Sequence, residues 1–411
     1  MMEIQELVRL SNAELRRQMA ARGLRARYRE HDLCTLIRQA SPEARIVGGF
    51  LEPTNHGGSC LRDERRAGLA YVSPQLRQAC DLRDGDHVIG IAEPREGVRL
   101  PPLTRVLAIN GEAVGRAKGR PHFERLTPVF PDQRYRLGCL GDFSMRVLDV
   151  VAPVGKGQRG LIVAPPKAGK TTLLYKIAQA IRDGYPEVHL MVVLIAERPE
   201  EATCFEREVG GELIVSTFDQ QPAQQTQAAE FALRRAKRLV EGGRDVFVLL
   251  DSLTRLTRAY NLCAGGSGRA LSGGIDPAAL APAREFLGCA RNLEGGGSLT
   301  VIATALVNTG SRMDDFIYEE FKGTGNMEVM LSSEIAKQRA FPAIDILASG
   351  TRNEERLLEE GERAIGAAIR RAIQGYKSGS LLQGSAALIQ RWAAFERDAE
   401  FFALLRGTLG A

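Results

Sequence analysis

The run Ala164-Pro-Pro-Lys-Ala-Gly169-Lys170-Thr171 stands between an apolar stretch and an amphipathic one. At the start of a helix that follows a strand, successive backbone N–H groups can cradle phosphates. Lys170 would then reach the terminal phosphates and the Thr171 hydroxyl would ligate Mg²⁺. The strict G-x-x-x-x-G-K-[ST] pattern fails only at its first glycine, where Ala164 stands. Two carboxylates close other apolar runs, Asp251 after Val246 to Leu250 and Glu197 after Leu190 to Ala196. An acid just past a strand can hold Mg²⁺ through water, and a second can act as base on an attacking water. Either one alone is an ordinary solvated strand end or helix cap. Three such strand ends on one edge of a parallel sheet point to ATP hydrolysis.

Those positions need an α/β scaffold, and the periodicity supplies one. Strands are predicted at Gly160 to Ala164, Val188 to Ala196, Leu213 to Thr217, Val246 to Leu250, Leu299 to Ala303 and Val329 to Leu331. Amphipathic helices lie between, for example Thr171 to Arg182, Thr226 to Gly242 and Pro282 to Leu293. This alternation is that of a doubly wound α/β domain with a mainly parallel sheet, placed over 138–411. Its tail, Glu354 to Gly407, reads as helical again, with Trp392, Phe395, Phe401 and Phe402 as core packing.

Upstream, 1–42 reads as a small helical unit opened by the capping-box-like Ser11 to Glu14 and made locally basic by Arg22, Arg25, Arg27 and Arg29. From 44 to 118 the chain turns to short, glycine-broken, alternating segments. These suggest a small β-barrel of the oligonucleotide-binding (OB) kind, a spacing that other small β folds share. Residues 119–137 read as a linker.

The 411 residues are 44% hydrophobic and 26% charged, ample for several buried cores, which excludes disorder and small disulfide scaffolds. The 55 basic and 50 acidic residues leave +5, too little for a uniformly basic coat, so any nucleic-acid contact must be local. Seven scattered cysteines, none in C-x-x-C spacing, suit reduced thiols in a cytoplasmic protein rather than a disulfide framework or zinc site. The longest apolar runs are too short to span a bilayer, and no signal peptide or membrane anchor is expected.

The segments GKGQRGLIVAPPKAGKT, ERPEE, LLDSLTRLTRAYN, GGSLTVIATAL, YEEFKGTGNME, FPAID and SGTR are far more specific than a lone phosphate loop. On them the chain resembles the bacterial transcription termination factor Rho family, hexameric RecA-type RNA translocases driven by ATP. The Ala164-Pro-Pro start is that family's own form. The resemblance implies a multidomain chain: an N-terminal helical unit, an OB-like (cold-shock-like) RNA-binding domain, and a RecA-type ATPase core with a helical C-terminal tail. It implies ATP and Mg²⁺ as cofactors. It also implies a homohexameric ring acting on single-stranded RNA and on the RNA polymerase elongation complex.

Roles follow residue by residue. Gly155, Lys156, Gly157, Gln158, Arg159 and Gly160, with Lys167, Ala168, Gly169, Lys170, Thr171 and Thr172, would contact nucleotide, and Phe341 would lie near the adenine. Thr171 and Asp251 would serve Mg²⁺, Glu197 would orient the attacking water, and Arg198 would contact the phosphates. Arg339 and Arg352 would face a neighbouring subunit's nucleotide, Arg352 as the arginine finger. Gly268, Arg269, Ala270, Leu271, Ser272, Gly273 and Gly274, with Arg312 and Lys322, would line the RNA-threading pore. In the barrel, Arg62, Tyr71 and Arg99 would remain as RNA contacts.

The chain departs from that family where RNA is chosen. The family's D-G-F-G-F-L-R strand, whose two rings stack on bases, is here His56-Gly-Gly-Ser-Cys-Leu-Arg62. Each lost stack removes about 1–3 kcal/mol, so the pyrimidine preference is expected to be weakened or replaced. The family's D-E-R-P-E-E is here Ala196-Glu-Arg-Pro-Glu-Glu, which removes a like charge beside Glu197. Two rivals follow: a divergent paralogue acting as a specialised remodeller or regulator, and a catalytic subunit of a rotary ATPase. The first predicts ATP binding with poor transcript release, the second hydrolysis indifferent to RNA.

Overall fold

The computed structural model describes residues 2–3, 43–54, 58–63, 66–264, 271–377 and 379–409. The helical unit expected over 1–42 lies outside them, apart from Met2–Glu3. The chain forms two compact units, one of Met1–Leu126 with Arg234–Gly242, the other of Thr127–Leu233 with Gly243–Ala411.

The first unit is an antiparallel sheet of β1 (Met2–Glu3), β2 (Arg45–Pro53), β3 (Ser59–Arg62), β4 (Gly68–Val72), β5 (His87–Ala92), β6 (Leu103–Ile109) and β7 (Glu112–Ala113). Helix α1 (Pro74–Ala79) follows β4 and is capped by Ser73 Oγ, which accepts from Leu76 N. The strand order is β4-β3-β2-β5-β6-β7, with β1 on β2. A parallel bridge between Tyr71 and Pro102 brings β4 onto the segment entering β6, the closure a barrel needs. Alternation turns Val47, Leu51, Leu61, Ala70, Val72 and Val88 into one core.

A polar cluster is buried in the same unit. Glu241, whose side chain has no exposure, accepts from Arg83 (2.9 Å), Arg120 (3.3 Å), Arg238 (2.6 Å) and the Phe123 N–H (2.9 Å). Asp86, equally buried, accepts from Arg120 (2.5 Å), the Arg83 N–H (2.7 Å) and Asn110 (2.7 Å). Such carboxylates are tolerated inside only when charge and hydrogen bonds are both met.

The second unit begins with β8 (Pro128–Val129), β9 (Arg134–Tyr135), α2 (Phe143–Val151) and β10 (Val154–Gly155). Then come β11 (Arg159–Ala164), α3 (Lys170–Gly184), β12 (His189–Glu197), α4 (Pro199–Glu208), β13 (Glu212–Thr217), α5 (Pro222–Glu241), whose part from Arg234 on belongs to the first unit, β14 (Asp245–Asp251) and α6 (Leu253–Cys263). They are followed by α7 (Pro277–Gly288), β15 (Arg291–Leu293), β16 (Ser298–Leu306), α8 (Arg312–Lys322), β17 (Met327–Met330), α9 (Ser333–Lys337) and β18 (Gly350–Thr351). The tail is α10 (Glu360–Gln374), α11 (Leu381–Ala393) and α12 (Asp398–Leu409).

The main sheet runs β13-β12-β14-β16-β11-β17-β18, parallel from β13 to β17 and antiparallel at β18. This is the mainly parallel α/β core expected. The helix expected at Pro282 to Leu293 differs: it runs Pro277–Gly288, and Arg291–Leu293 is a strand paired with β16. Asp276 caps it by accepting from Ala278 N, with Pro277 in the first turn, and Pro282 sits inside. Trp392 is fully buried, stacked on Phe401 at 5.2 Å, so these tail aromatics are core.

Candidate functional site

Parallel register brings the chemistry to one edge. Ala164 ends β11 opposite Leu306, Asp251 ends β14 opposite Leu194, and Glu197 ends β12 three residues further on. From Ala164 the chain turns through Lys167 (φ 63°) and Gly169 (φ 90°) into α3. Both are left-handed conformations, and glycine at 169 meets that demand without a Cβ penalty. Ala168 is buried, Lys167 and Thr172 are exposed, and the first N–H groups of α3 remain for phosphate.

Lys170 begins α3 and its Nζ lies 2.5 Å from Asp251 Oδ1 and 3.1 Å from Glu197 Oε1. Burial alone works against the ammonium, but the two carboxylates together outweigh it and raise its pKa. Glu197 is pushed up to about 7, first by burial and then by the Asp251 charge, against the lowering pull of Lys170 and Arg255. A carboxyl poised near neutrality suits a general base.

The Mg²⁺ ligands expected here pass a direct test. Asp251 is almost fully buried, its Oδ1 accepts from Thr304 Oγ1 (2.7 Å), and its Oδ2 has no hydrogen-bond partner. A buried acceptor without a donor is what a divalent cation or its water would satisfy. Thr171 Oγ1 stands on the same edge and donates to Glu201 Oε2 at 3.3 Å.

Two residues of this site escaped the sequence reading. Arg255, in α6, approaches Glu197 Oε1 through its Nε at 3.3 Å and donates to the Ala196 carbonyl. Thr304 reaches Asp251 from the neighbouring β16. Their only signal was membership of LLDSLTRLTRAYN and GGSLTVIATAL. Ala196 itself has φ 54°, where β12 bulges against β13 between Ile195 and Glu197. Asp tolerates that left-handed conformation better than Ala, so the substitution carries backbone strain as well as a lost charge.

The other nucleotide-site residues are divided. Arg198 is the exposed residue before α4. Phe341, 47% exposed, follows α9, whose strand β17 runs on to Leu331 beside Val163, so it stands on the phosphate-loop edge. Arg339 is exposed in the same loop, with φ 56°. Arg352 is exposed at the opposite edge, just past Thr351, which pairs with the first residue of β17.

Gly155 to Gly160 do not join the phosphate loop of their own chain, because β11 carries the chain roughly 20 Å from one edge of the sheet to the other. Within the chain, Gly157 (φ 85°) serves packing, since a Cβ there would stand 2.0 Å from Asn292 N. Gln158 is buried, and Lys156 pairs with Asp245 at 2.7 Å.

Of the pore residues, Gly268, Arg269 and Ala270 lie outside the described residues. Leu271 to Gly274 pack on the start of α8: a Cβ on Gly273 would meet Met313 Cα at 2.9 Å and Arg312 O at 3.1 Å. Arg312 is exposed there, and Lys322, at the other end of α8, lies over the Tyr318 ring. Asp314 in α8 takes both arms of Arg258 from α6 (2.8 and 2.7 Å) and the Thr309 hydroxyl (2.6 Å). In the barrel, Glu52, Cys60 and Tyr71 form a cross-strand row with Tyr71 38% exposed, and Arg62 lies beside Glu52. The Tyr71 N–H donates to Pro101 O at 2.9 Å, which docks the loop bearing exposed Arg99 beside Tyr71. Cys60 is buried and Gly58 packs against the Tyr71 ring, so neither replaces the missing stacking surface.

A parallel sheet whose phosphate loop, buried acid and base share one edge, carried with an OB-like barrel, defines a RecA-type nucleotide-binding protein with an oligonucleotide-binding module. Residues 144–351 match the ATP synthase alpha/beta family, nucleotide-binding domain, and residues 47–115 match the Rho termination factor, RNA-binding domain. The chain is 49% identical over 376 residues to the transcription termination factor Rho of Pseudomonas aeruginosa, covering 88% of this chain and 90% of that one. It therefore belongs to the transcription termination factor Rho family. It is 51% identical to the Rho of Streptomyces lividans over 82% of this chain and 48% of that one. With the Rho of Mycobacterium tuberculosis it shares 54% over 75% and 52%. The chain thus spans about half the length of these last two relatives. Among solved structures, an ATPase of a bacterial type III secretion system aligns with TM-score 0.57 and 25% identity, covering 73% of this chain and 88% of that one.

Proposed function

We propose that this chain is an RNA-dependent ATPase and translocase that terminates transcription by drawing nascent RNA out of the RNA polymerase elongation complex. It would work as a homohexameric ring, with Mg²⁺, in the cytoplasm. The carrying observation is the Lys170, Glu197 and Asp251 cluster on the phosphate-loop edge. When ATP enters, Lys170 leaves the two carboxylates for the terminal phosphates. Glu197, relieved of that ion pair and held by Arg255, accepts a proton from the attacking water. Thr171 and Asp251 would hold Mg²⁺, which supplies charge neutralisation for the transferred phosphoryl group. The hydrogen-bonded path from α6 through Arg258 and Asp314 to the start of α8 supports coupling of the nucleotide to Arg312 and the glycine loop.

The rotary-ATPase reading shares the nucleotide-binding fold but leaves the RNA-binding module without a purpose. The divergent-paralogue reading keeps support from Gly58 and Cys60, which take the places of the family's stacking rings. An ATPase assay of the full chain with poly(C), poly(U), mixed RNA and single-stranded DNA separates them. RNA-stimulated hydrolysis without strict pyrimidine dependence is expected, and hydrolysis indifferent to RNA would overturn the proposal. Release assays on stalled elongation complexes then divide terminator from specialised remodeller.

A further inference from the structure

The three tail helices enclose a groove that the nucleotide chemistry does not use. Gly384, Ala387, Leu388 and Arg391 recur at i, i+3, i+4 and i+7 and so share one face of α11. The other walls are Ala372 and Tyr376 of α10, one turn apart, and Phe401, Leu404 and Leu405 of α12. The space between them is about 200 Å³. It exists because Ala372, Gly384 and Ala387 carry a methyl group or less where larger side chains would fill it. Tyr376 already lies so close to α11 that a Cβ on Gly384 would stand 3.0 Å from the Tyr376 Cβ. The floor is fixed in advance, since Phe401 is buried and stacked on Trp392 at 5.2 Å.

The charge of this groove is one-sided. Among the described residues its lining holds one charged side chain, Arg391, and no acid. The Arg391 guanidinium has neither an ion pair nor a hydrogen bond among those residues. Its place in the last turn of α11 suits the helix dipole, which accounts for a cation there but not for the apolar cavity beside it. A dry apolar cavity of about 150 Å³ is enough to take a benzene ring, so this one has room for a hydrocarbon body of that order. The guanidinium at its wall adds the planar fork that matches a carboxylate.

We propose that this groove is a binding site for a small amphipathic carboxylate, a short alkyl or aryl chain ending in one anionic group. The hydrocarbon lies against Leu388, Phe401 and Leu404, and the carboxylate accepts from Arg391. None of the lining residues belongs to the phosphate loop, the barrel or the glycine loop, so the proposal stands apart from the RNA-translocase reading.

The test is isothermal titration calorimetry of the full chain at pH 7 with octanoate as the probe, and with octan-1-ol and octylammonium as its uncharged and cationic counterparts. Octanoate should bind with a Kd of roughly 10 μM to 1 mM, as expected for so few atoms, and at least about tenfold more tightly than either counterpart. Arg391→Gln should weaken octanoate roughly 10–100-fold, and Arg391→Glu should turn the preference to octylammonium. Ala387→Phe keeps the charge but fills the groove, and should remove octanoate binding. Both positions are exposed, and melting curves check that the variants fold. No saturable uptake of octanoate, octan-1-ol binding as tightly as octanoate, or an affinity that either Arg391→Gln or Ala387→Phe leaves unchanged overturns the proposal. Ala387→Phe altering the assembly state in light scattering, with no octanoate bound by the wild type, would assign the groove to a second copy of the chain and overturn it as well.

Discussion

Removing Lys170 should destabilise this protein in a way that depends on pH. Its Nζ sits between Asp251 and Glu197, side chains 2% and 3% exposed, at 2.5 and 3.1 Å. Lys170→Met keeps the length of the side chain and leaves two buried carboxylates without that cation. Breaking a buried pair from one side costs about 3–5 kcal/mol. Arg255 still faces Glu197 and Thr304 still donates to Asp251, which places the expectation at the lower end, near 3 kcal/mol. At about 2–4 °C per kcal/mol for a unit of this size, the transition should fall by roughly 6–12 °C. The pH sign follows from Glu197, whose folded pKa is about 7 in the wild type, above the unfolded value. A carboxyl raised in this way favours the fold at low pH and loses that contribution as pH rises through its folded pKa. Without Lys170 the folded pKa moves higher still, so above pH 7 the variant's folded state holds a proton that the wild type has released. The deficit should therefore widen by up to about 1.4 kcal/mol per pH unit above 7. Calorimetric melts at pH 6, 7, 8 and 9 read this directly. A deficit that is flat with pH, or a variant melting within a degree of wild type at pH 8, would refute the buried triad.

Hydrolysis should lose rate as pH falls through about 7, because Glu197 must be ionised to take the proton. An RNA-stimulated kcat/KM, which reports the nucleotide-free protein, that is level down to pH 6 would remove Glu197 as the base. Gly157→Ala should leave little soluble protein or lower the melt by several degrees, since its Cβ would stand 2.0 Å from Asn292 N at φ 85°. A wild-type melt would show that the turn relaxes freely. Tyr71→Ala should weaken RNA binding by roughly 5–150-fold in a filter-binding titration of the full chain. Unchanged binding would mean that Tyr71 carries no base.

The phosphate loop, Asp251 and Glu197 were legible because the chemistry fixes residue types at strand ends, and a parallel sheet must bring those ends together. Thr304 and Arg255 were not, since their roles depend on β16 lying beside β14 and on where α6 points, which no local pattern encodes. Gly155 to Gly160 were placed at the nucleotide by the resemblance alone, and β11 sets them on the edge opposite the phosphate loop of their own chain. The helix expected from Pro282 shows how two prolines compete for one start. Asp276 could cap and Ala281 could not, so Pro277 won.

The buried Glu241 has a bearing on how this protein is made. Its partners Arg83, Arg120 and the Phe123 N–H leave the ribosome first, and Glu241 follows over a hundred residues later. At roughly 5–20 residues per second, those arginines wait on the order of ten seconds for Glu241, with only Asp81 and Asp86 to face them meanwhile. The barrel's strands can pair in that interval, but its polar interior can close only after most of the first half of the nucleotide-binding sheet has also been synthesised. A fragment cut at residue 126 would be held permanently in that waiting state, with Asp81 and Asp86 still facing Arg83 and Arg120 but without the Glu241 carboxylate that both arginines share.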